Sequence, residues 1–161
     1  MNIRHHCFPP LLTPEVRVVV LGSLPGEASL SAAQYYAHPR NQFWRLLGDV
    51  LGTPIATLDY PQRVAVMLAA GVGLWDVVAS ARRQGSLDAA LREPAYNDLP
   101  TELAALPRLA AVAFNGRLAG KAAPRLAALG CALLQLPSSS PAFTLSYDNK
   151  LAQWHEIGRY L

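Results

Sequence analysis

The chain reads as a three-layer α/β/α sandwich around a central, mostly parallel four-stranded sheet. Three observations predict it. Four short apolar runs are continuous rather than alternating, as strands buried on both faces must be. Segments with apolar residues at three- and four-residue spacing lie between and after them, and a crossover between parallel strands needs such a helix. The glycine-rich and polar clusters follow the runs directly, at the carboxyl ends of strands where open α/β sheets bind ligands.

The first run, Val16 to Leu21, ends in Gly22-Ser23-Leu24-Pro25-Gly26. Glycine there leaves backbone groups open to a ligand, because no Cβ blocks the approach. Beyond Tyr35 and Tyr36, Pro39 suits a first helical position, and Phe43, Leu46, Leu47, Val50 and Leu51 share one face. A helix is therefore expected from Arg40 to Leu51, with Asn41 in its first turn. A further helix over Gln62 to Ala70 precedes the second run, Val72 to Trp75, which stops at Asp76. Pro94 to Pro100 reads as a loop. Helical spacing over Thr101 to Leu106 leads to the third run, Ala110 to Phe114, and then Asn115. A helix over Leu118 to Leu129 connects to the fourth run, Ala132 to Leu136, which opens into Ser138-Ser139-Ser140; the last helix spans Asn149 to Tyr160. Four loops converge on one rim of the sheet.

At 161 residues the chain is one domain, 1–161, and 52% hydrophobic with 16% charged residues excludes a disordered protein. No uninterrupted apolar stretch is long enough to span a bilayer, and the amino terminus lacks the apolar core of a signal peptide. Two cysteines, Cys7 and Cys131, fit a reducing cytoplasm and cannot supply the four thiolates of an iron-sulfur cluster. His5-His6-Cys7 has no acidic neighbour, so no metal site is expected, and no other cofactor. Gly71-Val72-Gly73 runs into an apolar strand rather than a helix, unlike a dinucleotide fingerprint, and no Walker loop occurs. The net charge of +3 suits a polyanionic partner but decides little.

The segment Gly22 to Gly26, followed by Tyr36-Ala37-His38-Pro39-Arg40-Asn41-Gln42-Phe43-Trp44, resembles the uracil-DNA glycosylase superfamily, and within it the hypoxanthine-DNA glycosylase branch. The mismatch-specific uracil/thymine glycosylases have a similar His-Pro-x-Asn-x-Phe-Trp run. The similarity continues through Phe114-Asn115-Gly116-Arg117 and Leu136-Pro137-Ser138-Ser139-Ser140-Pro141, and so covers most of the chain. It implies a monomeric enzyme of base excision repair whose partner is double-stranded DNA carrying a damaged or mismatched base. Its reaction is hydrolysis of the N-glycosidic bond of a deaminated base, hypoxanthine ahead of uracil or mismatched thymine. Many relatives have a catalytic Asp or Asn where this chain has Leu24, and leucine cannot orient water. The hypoxanthine branch uses the Asn of its His-Pro-Arg-Asn segment, so the catalytic role is carried to Asn41. An amide is a poor general base, so Asn41 is expected to order water, with a contact to the base as a second role.

The resemblance also implies that the Gly22, Ser23, Leu24, Pro25 and Gly26 backbone, a stacked Tyr36 and Asp76 enclose the base. His38, Arg40, Ser138, Ser139 and Ser140 would meet the DNA backbone, and Phe143 or Leu145 would fill the gap the base leaves. Plainer readings stand beside these. Asn41 can be ordinary first-turn polarity, Asp76 a cap, the three serines a solvated loop, and Arg117, Lys121 and Arg125 a solvated helical face. Asn115 reads as the cap of the helix that follows it. No lysine is expected near the pocket, Lys121 and Lys150 being the only two, so Schiff-base chemistry is not expected. Two other classes compete: a serine hydrolase built on Ser23, and a DNA-binding module without chemistry.

Overall fold

The computed structural model describes residues 3–161. Its central sheet has four parallel strands, β2 (Val18–Gly22), β3 (Val72–Asp76), β6 (Ala111–Asn115) and β7 (Ala132–Leu136), in the order β3-β2-β6-β7. Every residue of β2 is buried, as its unbroken apolar run requires. Successive side chains leave opposite faces of the strand. Val18 and Val20 pack with Phe43, Leu46, Leu47, Met67 and Trp154 from α2 (Phe43–Leu51), α3 (Tyr60–Ala69) and α7 (Tyr147–Trp154). Val19 and Leu21 pack on the other face with Leu99, Leu103, Ala119 and Leu126 from α4 (Leu99–Ala104), α5 (Arg117–Gly120) and α6 (Ala123–Leu126). The three layers follow from that alternation.

Several expectations are corrected. A second sheet, antiparallel, joins β1 (Arg4–His6), β4 (Val78–Arg82) and β5 (Arg92–Tyr96) in the order β1-β4-β5. Its strands carry no apolar run: β5 is exposed at every residue and contains Pro94, so composition reads it as loop. Only Val77 separates β3 from β4, and the segment pins the end of β2, with Val77 N–H donating to Gly22 O at 2.8 Å and Val78 N–H to Ser23 O at 3.0 Å. His5 and His6 belong to β1 and pair with Ala81 and Ser80. The Gly22–Gly26 loop leads into an unforeseen short helix, α1 (Glu27–Ala32).

The helix expected from Arg40 starts instead at Phe43. Asn41 N–H donates to His38 O at 2.9 Å, closing a turn, while Gln42 N–H reaches across to Ser139 O at 3.0 Å. Backbone donors engaged in that way hold the segment outside the helix, so Asn41 precedes the first turn rather than lying in it. The stretch Leu118 to Leu129 is broken into α5, α6 and a 3-10 turn, because Pro124 has no N–H to continue a helix and instead sits at the start of α6. The last helix becomes α7 followed by a 3-10 segment, His155–Tyr160. Among the described residues, no helix is long and apolar enough to cross a membrane, and no three His, Cys, Asp or Glu gather to hold a metal.

Glycine within a helix ordinarily costs about 1 kcal/mol relative to alanine. Gly48 of α2 reverses that sign, because a Cβ there would lie 2.7 Å from the Thr53 carbonyl oxygen, a backbone atom that cannot swing aside. Gly48→Ala is expected to destabilise the fold by about 1–3 kcal/mol, as overpacking does; a urea midpoint equal to or above the parent's would contradict it.

Candidate active site

A cavity of about 680 Å³ opens at the carboxyl ends of the parallel strands. Its volume lies in the range of small-molecule sites. The structure brings together there the Gly22–Gly26 loop, Tyr36, His38, Asn41, Asp76 and Ser138–Ser140, all foreseen from sequence, with Asn115 among them. Arg40 does not line the cavity. It lies on an adjoining groove of about 880 Å³, which shares Tyr36, His38 and Asn41 with the cavity and is flanked by Arg45, Arg63 and Lys150. The opposite wall, Ser86–Ala89, comes from the β4–β5 connection and carried no readable signal.

Asn41 is held by its carbonyl oxygen. Oδ1 accepts from Phe43 N–H at 3.0 Å and from the Ser139 hydroxyl at 2.8 Å. Ser139 is 1% exposed, and its own partners are on β6: Asn115 Nδ2 donates to Ser139 Oγ at 2.9 Å, and Ser139 N–H donates to Asn115 Oδ1 at 2.8 Å. Asn115 is therefore not the helix cap that its position suggests; α5 has Gly116 at its cap, with φ of +98° and no side-chain capping bond. Ser139, buried and bonded on both sides, does not present its hydroxyl to a phosphate. Ser138 and Ser140 are at the cavity edge, with Ser140 N–H donating to Ser138 Oγ at 3.1 Å.

Tyr36 and Asp76 form the inner wall. Tyr36 takes a left-handed backbone, φ +55°, and its ring stacks on Phe43 with centroids 4.1 Å apart. Its neighbour Tyr35 is buried, and the Tyr35 hydroxyl donates to Pro9 O at 3.1 Å. Asp76 is 4% exposed and its Oδ2 has no hydrogen-bond partner in the protein. Burial pushes the Asp76 carboxyl up to about 7, the charge of Asp88 adding to the rise and that of Arg83 opposing it. Gly22 permits this crowding, since a Cβ there would fall 2.7 Å from both Asp76 Oδ1 and the Tyr36 hydroxyl. The Leu24 side chain turns away from polar work and packs on Val78 and Ala81. Buried Arg83 donates to Pro25 O, and Ser86 Oγ accepts from Glu27 N–H at 2.9 Å, so the β4–β5 connection also braces the Gly22–Gly26 loop.

The model of the Uracil DNA glycosylase superfamily matches residues 9–160. The chain belongs to that superfamily. Two relatives described as hypoxanthine DNA glycosylases come from Methanosarcina species. The Methanosarcina barkeri protein is 36% identical over 149 residues, covering 92% of this chain and 94% of its own. The Methanosarcina acetivorans protein is 34% identical over 153 residues, covering 95% and 97%. A solution NMR structure from Methanosarcina acetivorans, assigned to the uracil DNA glycosylases, superposes with a TM-score of 0.89 at 33% identity and 98% coverage of both chains.

Within this glycosylase fold, one further expectation is revised and one competing reading loses support. Lys150 does stand beside the site: it is 1% exposed, its Nζ donates to Ser140 O at 3.2 Å, and its ammonium lies 5.5 Å from the Phe143 ring centroid. Burial lowers its pKa. The Ser23 hydroxyl donates to Asp88 Oδ1 at 2.7 Å, an arrangement with no histidine to take its proton, so the hydrolase reading has no base. At the cavity mouth, His38 Nδ1 accepts from Arg40 N–H at 3.1 Å. Phe143, 46% exposed, lies where cavity and groove meet, whereas Leu145 lines the groove alone.

The raised Asp76 pKa has a consequence for stability. Between 3.8 and about 7 the folded protein keeps a proton that the unfolded chain has released, so unfolding free energy falls as pH rises through that window. The full effect is of the order of 4 kcal/mol. Asp76→Asn is expected to flatten that slope and to raise the denaturation midpoint at pH 8. An unchanged pH dependence in urea titrations would show that the carboxyl titrates normally.

Proposed function

We propose that the chain is a monofunctional DNA glycosylase that excises hypoxanthine from double-stranded DNA in base excision repair. The observation that carries this reading is the Asn41 amide, fixed by Phe43 and Ser139 at a cavity whose inner wall is Tyr36 and Asp76. The names of the Methanosarcina relatives support it. A glycosidic bond is out of reach inside a duplex, so the nucleotide must swing into the cavity. Asp76 then discriminates at the base edge. Above about pH 7, where the carboxyl is ionised, it accepts from the N1–H of hypoxanthine, whereas adenine offers only a lone pair at N1 and would be repelled. Uracil also carries an N–H at the equivalent edge, which keeps a uracil or mismatch glycosylase as the second reading.

Tyr36 and the Gly22–Gly26 backbone enclose the base, and Asn41 is the catalytic residue. The DNA backbone would follow the basic groove, meeting Arg40, His38 and the Ser138 and Ser140 loop, with Phe143 positioned to press into the stack. A single chain supplies every residue given a role in the cavity, which fits a monomer, and the free thiols Cys7 and Cys131 suit a reducing compartment such as the cytoplasm. Lys150 is engaged with the Ser140 carbonyl, which supports simple hydrolysis leaving an abasic site rather than a Schiff base.

With a hypoxanthine-containing duplex, Asn41→Ala is expected to reduce single-turnover base release by about 10² or more without changing the circular dichroism spectrum. Full activity of that variant would remove Asn41 from the chemistry, and release of uracil in place of hypoxanthine would move the chain to the mismatch-specific branch. Arg40→Ala is expected to weaken duplex binding whatever the base and to reduce the slope of log affinity against log salt by about 1. An unaltered slope would take Arg40 off the phosphate track.

A further inference from the structure

We propose that Asn115 and Ser139 are positioning residues that lock the Asn41 amide with its NH2 toward the cavity, so that Asn41 acts as a hydrogen-bond donor to the departing base and not as an acceptor for the attacking water. This inference rests on the glycosylase function proposed above and assigns the direction of its central hydrogen bond.

Two backbone N–H groups set that direction, because they can only donate. Phe43 N–H points at one amide atom of Asn41, which must therefore be the carbonyl oxygen. Ser139 N–H points at one amide atom of Asn115, which must likewise be its oxygen. The Asn115 NH2 is then the group 2.9 Å from Ser139 Oγ, and it donates there. With Oγ already accepting, its single hydrogen goes to Asn41 Oδ1, 2.8 Å away. Ser139 is 1% exposed, so no solvent competes for that hydroxyl. Asn41 Oδ1 thus receives two donors, which occupy both its lone pairs. What Asn41 has left for the cavity it lines is the NH2.

The chemistry follows from that polarity. As the bond between C1′ and N9 breaks, its electron pair moves onto the purine, and a donor at N3, N7 or O6 binds more strongly as negative charge grows there. Water then adds through oxygen at C1′ and loses a proton to solvent, while the expelled purine takes a proton on a ring nitrogen. A water that accepts from the Asn41 NH2 keeps a second lone pair for attack, but that bond draws electron density from its oxygen and offers no acceptor for the proton it must lose. Ordering of water, the first role expected for Asn41, is therefore the weaker use of this group.

Asn115→Asp tests the relay with almost no change of shape. One carboxylate oxygen still accepts from Ser139 N–H, but the other is now an acceptor, so the Ser139 hydrogen turns to it and away from Asn41. The single-turnover rate on a hypoxanthine duplex, taken as a ratio to the parent at each pH, is expected to fall about tenfold at pH 8, the scale of one lost hydrogen bond. It should recover toward pH 5, where the introduced carboxyl, once protonated, can donate again, and duplex Kd should stay within about twofold of the parent's. Adding Ser139→Ala to Asn115→Asp should cost little more than either alone. Asn41→Asp, which turns an acceptor to the cavity, should be as poor at pH 8 as Asn41→Ala. Asn115→Asp with parental activity at pH 8, or with the same deficit at every pH, would overturn the relay; Asn41→Asp retaining activity near the parent's would overturn the donor role. In the unliganded protein, the Asn41 side-chain NH2 resonances should shift in Asn115→Asp and Ser139→Ala, and no shift would count against the relay. If the parent itself released no base, the glycosylase function and the donor role would both fall, while the resonance shift would still decide the relay.

Discussion

Ser139 is where the structure is tied together. Its backbone carbonyl accepts from Gln42, its backbone N–H and hydroxyl engage Asn115, and its hydroxyl donates to Asn41. Residues from the approach to α2, the end of β6 and the loop after β7 are thereby held within hydrogen-bond distance of one another. At 1% exposure these bonds form away from water, where an unmade partner would be costly. Release of that point would let three walls of the cavity drift separately. The aromatic packing beneath supports the same junction: Trp154 Nε1 donates to Pro137 O at 2.9 Å while its ring packs edge-on against Phe43, on which Tyr36 stacks.

The far side of the cavity depends on a different compromise. Gly22 brings Asp76 and Tyr36 to a separation that no side chain at that position would allow, and Asp76 is left buried with one oxygen unpaired. Such an arrangement lowers stability at neutral pH, and it is braced by the β4–β5 connection through Arg83 and Ser86 and by the β3–β4 junction through the Val77 and Val78 amides. A buried carboxyl with an unpaired oxygen is an unfavourable core feature and a favourable ligand-binding one. The same oxygen that weakens the fold is free to accept a hydrogen bond from a ligand in the cavity. Tyr36, in a left-handed conformation, contributes a second local strain at the same wall.

The parallel sheet was legible because four apolar runs must be buried twice, and its order of elements follows from helices between strands. Gly22 to Gly26, Asp76 and the Ser138–Ser140 loop were legible as a site because each follows a strand end, and the family resemblance named roles for them and for Tyr36 and Asn41. Asn115 was legible as a polar residue at such an end, but its use was not. Capping is a local bond and could be guessed from the neighbours, whereas its actual partner, Ser139, lies 24 residues away. The wall at Ser86–Ala89 and the antiparallel sheet were invisible, since exposed strands such as β5 obey no apolar period. Lys150 escaped notice for a similar reason: its proximity to Ser140 arises from how α7 packs against the sheet, not from any spacing.

Hydrophobic period and strand-end chemistry, both local properties, thus determined the sandwich and the rim on which its site lies. Direction and distance were decided only in three dimensions: which atom of Asn41 is bonded to Phe43 and Ser139, how far Asp76 is stripped of water, and which residues brace the Gly22–Gly26 loop. The physical reason is that burial and hydrogen-bond polarity belong to pairs of groups. Partners far apart in the chain become pairs only when the fold brings them together.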